Sequence, residues 1–297
     1  MKVGILVVTY NRLGLLKEVI ESLRKQTYTN KSIIVVNNNS TDGTEEWLRE
    51  QTDITTISQP NSGGAGGFNT GLRYIAENGF DFAWLMDDDV VCHADALNEL
   101  MSAYNVESNI GFVCSRVVGL DGQPMNVPQI DRRLTANSYP DWCRHLDKQM
   151  IKVESATFVS VLVSTETIRE VGLPYKEYFI WGDDTEYTTR ITRKHTAYMV
   201  NKSIVVHKRA NQGGVSIFTE TDSKRLKNIY FHYRNNTHIT FKYGEMKDKL
   251  ARVFVTTYTI LKLLFTIRFA KAWLLMRSQV AALFFSPRVE YPLVPKG

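Results

Sequence analysis

At 297 residues the chain has room for one large domain or two smaller ones, each with its own core. Its 43% hydrophobic and 23% charged residues are those of a globular protein and exclude a disordered or low-complexity chain. The net charge of +5 hides an asymmetry: residues 1–200 carry 19 Lys+Arg and 26 Asp+Glu, a net of −7, while residues 201–297 carry 17 and 5, a net of +12. A basic C-terminal third behind an acidic body points to an anionic surface as partner, either nucleic acid or an anionic membrane. The three cysteines, Cys92, Cys114 and Cys143, form no CxxC pair. That argues against a disulfide framework and a zinc site and fits a reducing compartment.

In chain order, strand and helix signals alternate. Val3–Val8 is a buried strand by run length and β-branching, and with only Lys2 charged ahead of it the N-terminus does not read as a secretion signal. Residues 13–26 are a helix, Ser32–Val36 a strand, Thr44–Glu50 a helix and Ile54–Ile57 a short strand. Asn69–Asn78 follows as a helix, then Phe82–Met86 as a strand, Asp95–Tyr104 as a helix and Ile110–Val118 as a strand. This alternation predicts a mostly parallel sheet with helices on both faces. Residues 119–150 read as a loop-rich excursion. Ala156–Val163 is expected as a strand, Thr165–Val171 and Thr185–Lys194 as helices, and Ala197–His207 as one long strand or a pair.

From about Asp222 the pattern turns helical. We expect a division into residues 1–222, which bind nucleotide and carry the chemistry, and a basic, apolar helical region, 223–297, for membrane or oligomer contact. Residues 247–285 are interrupted by Arg252, Lys262, Arg268, Lys271 and Arg277, so no stretch reaches the ~20 apolar residues of a spanning helix. At 100° per residue these cations do not gather on one stripe. Two helices broken near residue 269, lying on a membrane or packed on a partner, fit better than one amphipathic helix.

Four segments carry chemistry. Asp87-Asp88-Asp89 ends an apolar strand, and three adjacent carboxylates repel unless something positive sits among them. A hard divalent cation, Mg²⁺ or Mn²⁺, shared with substrate phosphates answers that need, and open α/β sheets bind ligands at this end of their strands. A solvated acidic turn is the plain alternative. Thr9-Tyr-Asn-Arg12 and Asn37-Asn-Asn-Ser-Thr-Asp-Gly-Thr44 land at neighbouring strand ends. There Asn37 is placed to meet a base edge, while Ser40 or Asp42 can cap a helix. Asn61-Ser-Gly-Gly-Ala-Gly-Gly-Phe-Asn-Thr-Gly71 is expected as a glycine loop whose backbone approaches a diphosphate or a sugar, ahead of a helix start. It is neither a P-loop nor a dinucleotide fingerprint. Phe179-Ile-Trp-Gly-Asp-Asp184 sets two acids at a helix start beside Trp181, whose ring offers a sugar a stacking face and the acids a partly dry setting that raises a carboxylate toward a useful base. His207 ends the strand after Ser203 and is a candidate ligand once a metal site is in place.

Taken in order, these segments resemble family-2 glycosyltransferases of the GT-A fold, over roughly residues 1–240. Asn61-x-Gly-Gly-Ala-Gly-Gly-Phe68, Trp84-Leu-x-Asp-Asp-Asp89, Phe179-Ile-x-Gly-Asp-Asp184 and the stretch Tyr230–Asn236 are similar to bacterial galactofuranosyltransferases, and rhamnosyltransferases share much of the set. The resemblance implies an inverting, metal-dependent transfer by single displacement. In it Asp87, Asp89 and His207 bind Mn²⁺ or Mg²⁺, and Asp88 lies near the ribose. Thr9, Arg12 and Asn37 hold the nucleotide, and Asn61 and Gly64 the diphosphate-sugar. Asp184, or else Asp183, is the base, and Trp181 faces the acceptor. Asn37 stands where many family members have Asp, which leaves the base contact open.

The resemblance further implies a UDP-sugar donor, UDP-galactofuranose, with dTDP-rhamnose as the alternative. It implies a glycan acceptor, lipid-linked, in cell-surface polysaccharide synthesis such as O-antigen, with the enzyme peripheral on the cytoplasmic face of the membrane. A homo-oligomer through the C-terminal helices is the other use of that region. A nucleotidyltransferase would show a basic glycine-rich signature near the N-terminus, which Leu6–Asn11 lacks. A non-catalytic carbohydrate- or nucleic-acid-binding module would not need both acidic clusters, and without aromatic-basic interleaving nucleic acid is not expected as a partner.

Overall fold

The computed structural model describes residues 1–209 and 216–293. The chain divides into two compact units, the first of residues 1–176, 184–210 and 289–297, the second of 177–183 and 211–288. The helical unit is therefore not one continuous tail: Glu177–Asp183, which includes the first acid of the second cluster, belongs to it, and the stretch from Val289 belongs to the first unit.

The first unit is an α/β layer structure, as the alternation predicts. Strands β1 (Val3–Thr9), β2 (Lys31–Asn37), β3 (Ile54–Ser58) and β4 (Phe82–Asp87) lie in the order β3-β2-β1-β4 and pair in parallel. Val3, Ile5 and Val7 enter one core with helices α1 (Leu13–Arg24) and α4 (Ala96–Ala103), while Leu6 and Val8 enter a second with α3 (Gly63–Glu77) on the other face. A strand buried on both faces reads as a continuous apolar run, which is why β1 and β2 were legible. The short α2 (Thr44–Arg49) links β2 to β3.

Beyond β4 the sheet is mixed, not mostly parallel. A short β5 (Val90–Cys92) pairs antiparallel with β10 (Thr196–His207). β6 (Ile110–Val118) is parallel to β10, but β9 (Val161–Ser164) lies antiparallel between β4 and β6. β7 (Gln129–Ile130) and β8 (Met150–Ser155) extend the edge antiparallel to their neighbours. The expected single strand over 156–163 is replaced by β8, a connection at 156–160 and the four residues of β9. Helices α5 (Thr165–Val171) and α6 (Asp183–Thr192) follow as predicted.

The expected glycine loop is helical. α3 starts at Gly63, six residues before the predicted Asn69, and runs through the glycine cluster. Helix propensity alone argues against this, since each glycine costs up to ~1 kcal/mol relative to alanine. Packing overrides it. A Cβ on Gly67 would stand 2.4 Å from Val8 Cγ1, and one on Gly71 2.2 Å from Leu6 Cδ1, so only glycine lets α3 seat this closely on β1.

In the second unit α7 (Ser223–Tyr243), α8 (Met246–Phe265) and α9 (Phe269–Phe284) pack together around Ile217, Ile229, Leu263, Ala272 and Leu275. The break between α8 and α9 spans residues 266–268, close to the predicted 269. No helix among the described residues is long and apolar enough to cross a membrane.

Candidate active site

Parallel pairing brings the candidate residues of three segments to one sheet end. Thr9 is in register with Asn37, and Val8 with Asp87, so the polar residues that close β1, β2 and β4 stand side by side. The loops that follow are knitted to each other. Asn11 N donates to Ser40 Oγ at 2.9 Å, Thr41 N to Asn11 Oδ1 at 2.6 Å and Leu13 N to Asp42 Oδ2 at 2.9 Å. Asp42 therefore satisfies an orphan amide at the start of α1, and its Oδ1 also accepts from Thr44 N at 3.3 Å at the start of α2, the helix for which a cap was expected from sequence.

The three aspartates do different work. Asp88 is buried; Thr9 Oγ1 donates to its Oδ2 at 2.7 Å, and Arg12 Nη1 lies 3.3 Å from its Oδ1. Burial pushes its carboxyl up to about 6, against the pull of Arg12 and Thr9. Asp87, Asp89 and His207 converge, each with one ligand atom within 4.8 Å of the others. β10 delivers His207 through its pairing with β5, opposite Val90. Arg12 Nη1 also reaches Asp89 Oδ2 at 2.8 Å. Burial alone would raise the Asp89 carboxyl, but His207 and Arg12 hold it below the ordinary carboxylate range.

Asp89 Oδ1 is buried and makes no hydrogen bond, although His207 Nε2 lies only 3.1 Å away. The other ring nitrogen is engaged elsewhere: His207 Nδ1 sits 2.8 Å from Asn126 Oδ1. With that amide oxygen accepting a proton from Nδ1, Nε2 is the ring atom that a cation beside Asp89 would take. Two carboxylates and an imidazole lone pair aimed at one point, with an orphan oxygen among them, fit a divalent cation. The mixed O/N donor set suits Mn²⁺ at least as well as Mg²⁺. Asn126 is the residue sequence reasoning missed. It orients the ring from the irregular 119–150 segment, and no local pattern marks it.

The nucleotide-side candidates are ordered by the protein itself. Asn37 is buried; its amide donates to Glu45 Oε2 at 2.8 Å and its Oδ1 accepts from Ser40 N at 3.0 Å. Asn61 Oδ1 accepts from Gly63 N at 2.9 Å and opens α3. A Cβ on Gly64 would meet nothing within 4 Å, so of the glycines in this run Gly64 borders open space.

The second acidic cluster starts α6. Asp184 Oδ1 accepts from Thr185 N at 2.6 Å, and Asp183 is buried. The buried Glu186 pairs with Arg190 at 2.6 Å, and Arg190 Nη1 donates to the carbonyls of Val171 and Leu173, which fixes the helix in its unit. The turn ahead of α6 is strained: Phe179, Trp181 and Gly182 all have positive φ, at 63°, 61° and 94°. The fully buried Asn235 on α7 holds it. Asn235 Nδ2 reaches the carbonyls of Tyr178, Ile180 and Trp181 at 3.0, 3.2 and 2.7 Å. Trp181 packs edge-on to His232, with ring centroids 5.8 Å apart. The structure thus joins Asp87, Asp88, Asp89, Arg12, Thr9 and His207 in one cluster, while Trp181 and Asp183 fall in the helical unit and Asp184 in the first.

Residues 4–141 match the model of glycosyl transferase family 2. The match covers less than half of the chain; with this fold it places the chain among glycosyltransferases of the GT-A fold, and over residues 4–141 the chain is similar to family 2. Within that class it resembles galactofuranosyltransferases. It is 29% identical over 195 residues to galactofuranosyltransferase GlfT1 of Mycolicibacterium smegmatis and 27% identical over 192 residues to GlfT1 of Mycobacterium tuberculosis, each match covering 63% of this chain. The chain spans less than two thirds of those relatives, 64% and 63% of their lengths. Among solved structures it is similar in fold to S. aureus TarS 1–349, with a TM-score of 0.57 at 15% identity over 87% of this chain and 73% of that one. The mannosyltransferase PcManGT of Pyrobaculum calidifontis, in complex with GDP-Man and Mn²⁺, matches with a TM-score of 0.53 at 16% identity over 95% of this chain and 87% of that one.

Proposed function

We propose that the protein transfers galactofuranose from UDP-galactofuranose to a lipid-linked glycan acceptor, with inversion, on the cytoplasmic face of a membrane. The observation that carries the chemistry is the convergence of Asp87, Asp89 and His207 beside the in-register ends of β1, β2 and β4. The resemblance to galactofuranosyltransferases carries the donor. A divalent cation held by those three residues would neutralise the departing diphosphate as a Lewis acid. Arg12 and the Gly64 backbone, which borders open space, would face the donor. Asp184 takes the proton from the acceptor hydroxyl as its oxygen bonds to C1 of the donor sugar, and the C1–phosphate oxygen bond breaks to release UDP. Asp183 is the reserve candidate for that base.

The membrane reading rests on charge and exposure. Between residues 246 and 288 stand eight Lys+Arg and a single acid, Asp248. The test of the chemistry is UDP release across a panel of sugar nucleotides, with Mn²⁺, with Mg²⁺ and with EDTA. Turnover of UDP-galactofuranose that EDTA abolishes, and that Asp184→Asn lowers by a factor of roughly 10² or more, is expected. Turnover of dTDP-rhamnose with none of UDP-galactofuranose would move the protein to the rhamnosyl branch.

A further inference from the structure

α8 and α9 are patterned inside out. The buried positions of α8 are Thr256, Thr259 and Leu263, and those of α9 are Ala272, Leu275, Ser278 and Ala282. Leu263 and Leu275 apart, most of the large apolar side chains face away. On α8 these are Leu250, Phe254, Tyr258, Leu261 and Phe265; on α9 they include Phe269, Trp273, Leu283 and Phe284. A helix in water turns its apolar stripe inward. Small residues between helices with large apolar ones outward is the arrangement of helices surrounded by lipid.

The turn between the two helices carries the sharpest sign. It has the hydrogen bonds of a Schellman end: Arg268 N donates to Leu263 O at 2.8 Å and Ile267 N to Leu264 O at 3.0 Å. That geometry needs a left-handed residue, for which glycine is the usual choice. Here it is Ile267, at φ 55°, the one β-branched residue with positive φ among those described. The chain bears this strain to hold an isoleucine that is 77% exposed, between Phe265 at 86% and Phe269 at 61%. Buried contacts do not explain it, because the side chain has few. Strain at an exposed apolar tip points to a binding role.

We propose that the α8–α9 turn is a membrane-insertion tip, with Phe265, Ile267 and Phe269 entering the headgroup–acyl boundary of an anionic bilayer ahead of the rest of the hairpin. The inference rests on the membrane reading above and adds the point of deepest contact. Charge complementarity selects the occupant: the hairpin and its flanks, residues 246–288, carry eight Lys+Arg against one acid and suit an anionic leaflet, whereas a second copy of this basic hairpin would be repelled. Arg268 and Lys271 anchor the tip from behind, donating to the backbone carbonyls of Phe218 and Glu220.

The test uses the full chain, vesicles of phosphatidylcholine with and without phosphatidylglycerol, and the variants Ile267→Gly and Phe265→Ser. Ile267→Gly removes the apolar tip and relieves the left-handed strain together. It is expected to raise the melting temperature by about 1–3 °C while weakening vesicle flotation roughly tenfold or more, a change of about 1.4 kcal/mol. A merely structural role would move both in one direction. Brominated lipids should quench Trp273, measured against a Trp273→Phe blank, less in either variant than in the parent. If both variants bind vesicles as the parent does, the tip is overturned and the membrane reading stands. If the parent fails to bind anionic vesicles at low salt, both fall. A parent dimer that dissociates on Ile267→Gly would instead make the tip an interface between copies.

Discussion

Replacing Gly67 with alanine while replacing Gly64 as its control tests whether the glycine run is a seated helix or a free loop. A Cβ on Gly67 would lie 2.4 Å from Val8 Cγ1 and 3.2 Å from Asn38 Nδ2, and one on Gly64 would meet nothing within 4 Å. Carbon contacts settle at about 3.5–4.0 Å, so α3 or β1 must give way by more than ~1 Å. Val8 cannot swing aside, because a β-branched side chain on a strand is stiff at χ1. Overpacking of this kind costs about 1–3 kcal/mol. Each alanine also gains up to ~1 kcal/mol of helix propensity. That gain is common to both variants, so the difference between them isolates the overpacking: Gly67→Ala should be less stable than Gly64→Ala by about 1–3 kcal/mol, on the order of 5 °C in melting temperature. Thermal and urea unfolding measure the difference, and donor KM supplies the second axis. Gly64→Ala should be at least as stable as the parent and raise KM for the nucleotide-sugar, since it borders the space proposed for the diphosphate. If Gly67→Ala proves as stable as Gly64→Ala, the close seating of α3 on β1 is wrong.

Three further outcomes are expected. Asp89→Asn should weaken Mn²⁺ binding, read by titration calorimetry, on the order of 10²-fold with the fold intact, and Asn126→Ala, acting through the His207 ring, about tenfold; unchanged affinity in both would remove the metal centre. Asn235→Leu strips the donor from three carbonyls, one buried and two part-buried, at a cost of about 1–3 kcal/mol, and should lower kcat more than it raises donor KM if the 179–182 turn positions the start of α6. A loss of stability with full kcat would confine Asn235 to a structural role. Asp131 is buried, which alone would raise its carboxyl, but Arg133 hydrogen-bonds it at 2.8 and 2.7 Å and holds it below the ordinary range. A depressed folded value stabilises the protein above the unfolded pKa of about 3.9 and loses that contribution as pH falls through the folded value. Limited proteolysis of the 119–149 segment should therefore rise in acid, and the gap between parent and Asp131→Asn should close there; a gap that stays constant with pH would refute the pairing.

What was legible in the chain was whatever sequence neighbours encode. β1, β2 and β4 are continuous apolar runs buried on both faces, so run length alone finds them, and their ends mark Thr9, Asn37 and Asp87 without further help. His207 could be placed as a strand end but not joined to its orienting partner, because Asn126 lies 81 residues away in an irregular segment. The mixed half of the sheet was misread for a related reason. β9 has four residues and β5 three, too few for periodicity to separate strand from connection. The glycine run failed in another way: propensity counts glycine as a helix breaker, whereas here its missing side chain is what permits the helix, a fact held by Val8 and Leu6 and not by the run itself.

The C-terminal helices are the instructive case, because the sequence carried the information in a form that looked like noise. Cations that fail to gather on one stripe seemed only to deny an amphipathic helix. In the structure Lys262, Arg268 and Arg277 stand exposed among large apolar side chains on α8, α9 and the turn between them, and Thr256, Thr259, Ala272, Ser278 and Ala282 are turned inward. A helix apolar over its outer surface is stable where that surface meets something other than water. The absent stripe, the inward-facing small residues and an isoleucine held at φ 55° therefore describe one property at three scales. If that property were solubility in water, all three would be defects placed side by side in a single hairpin, whereas an anionic bilayer makes each of them favourable.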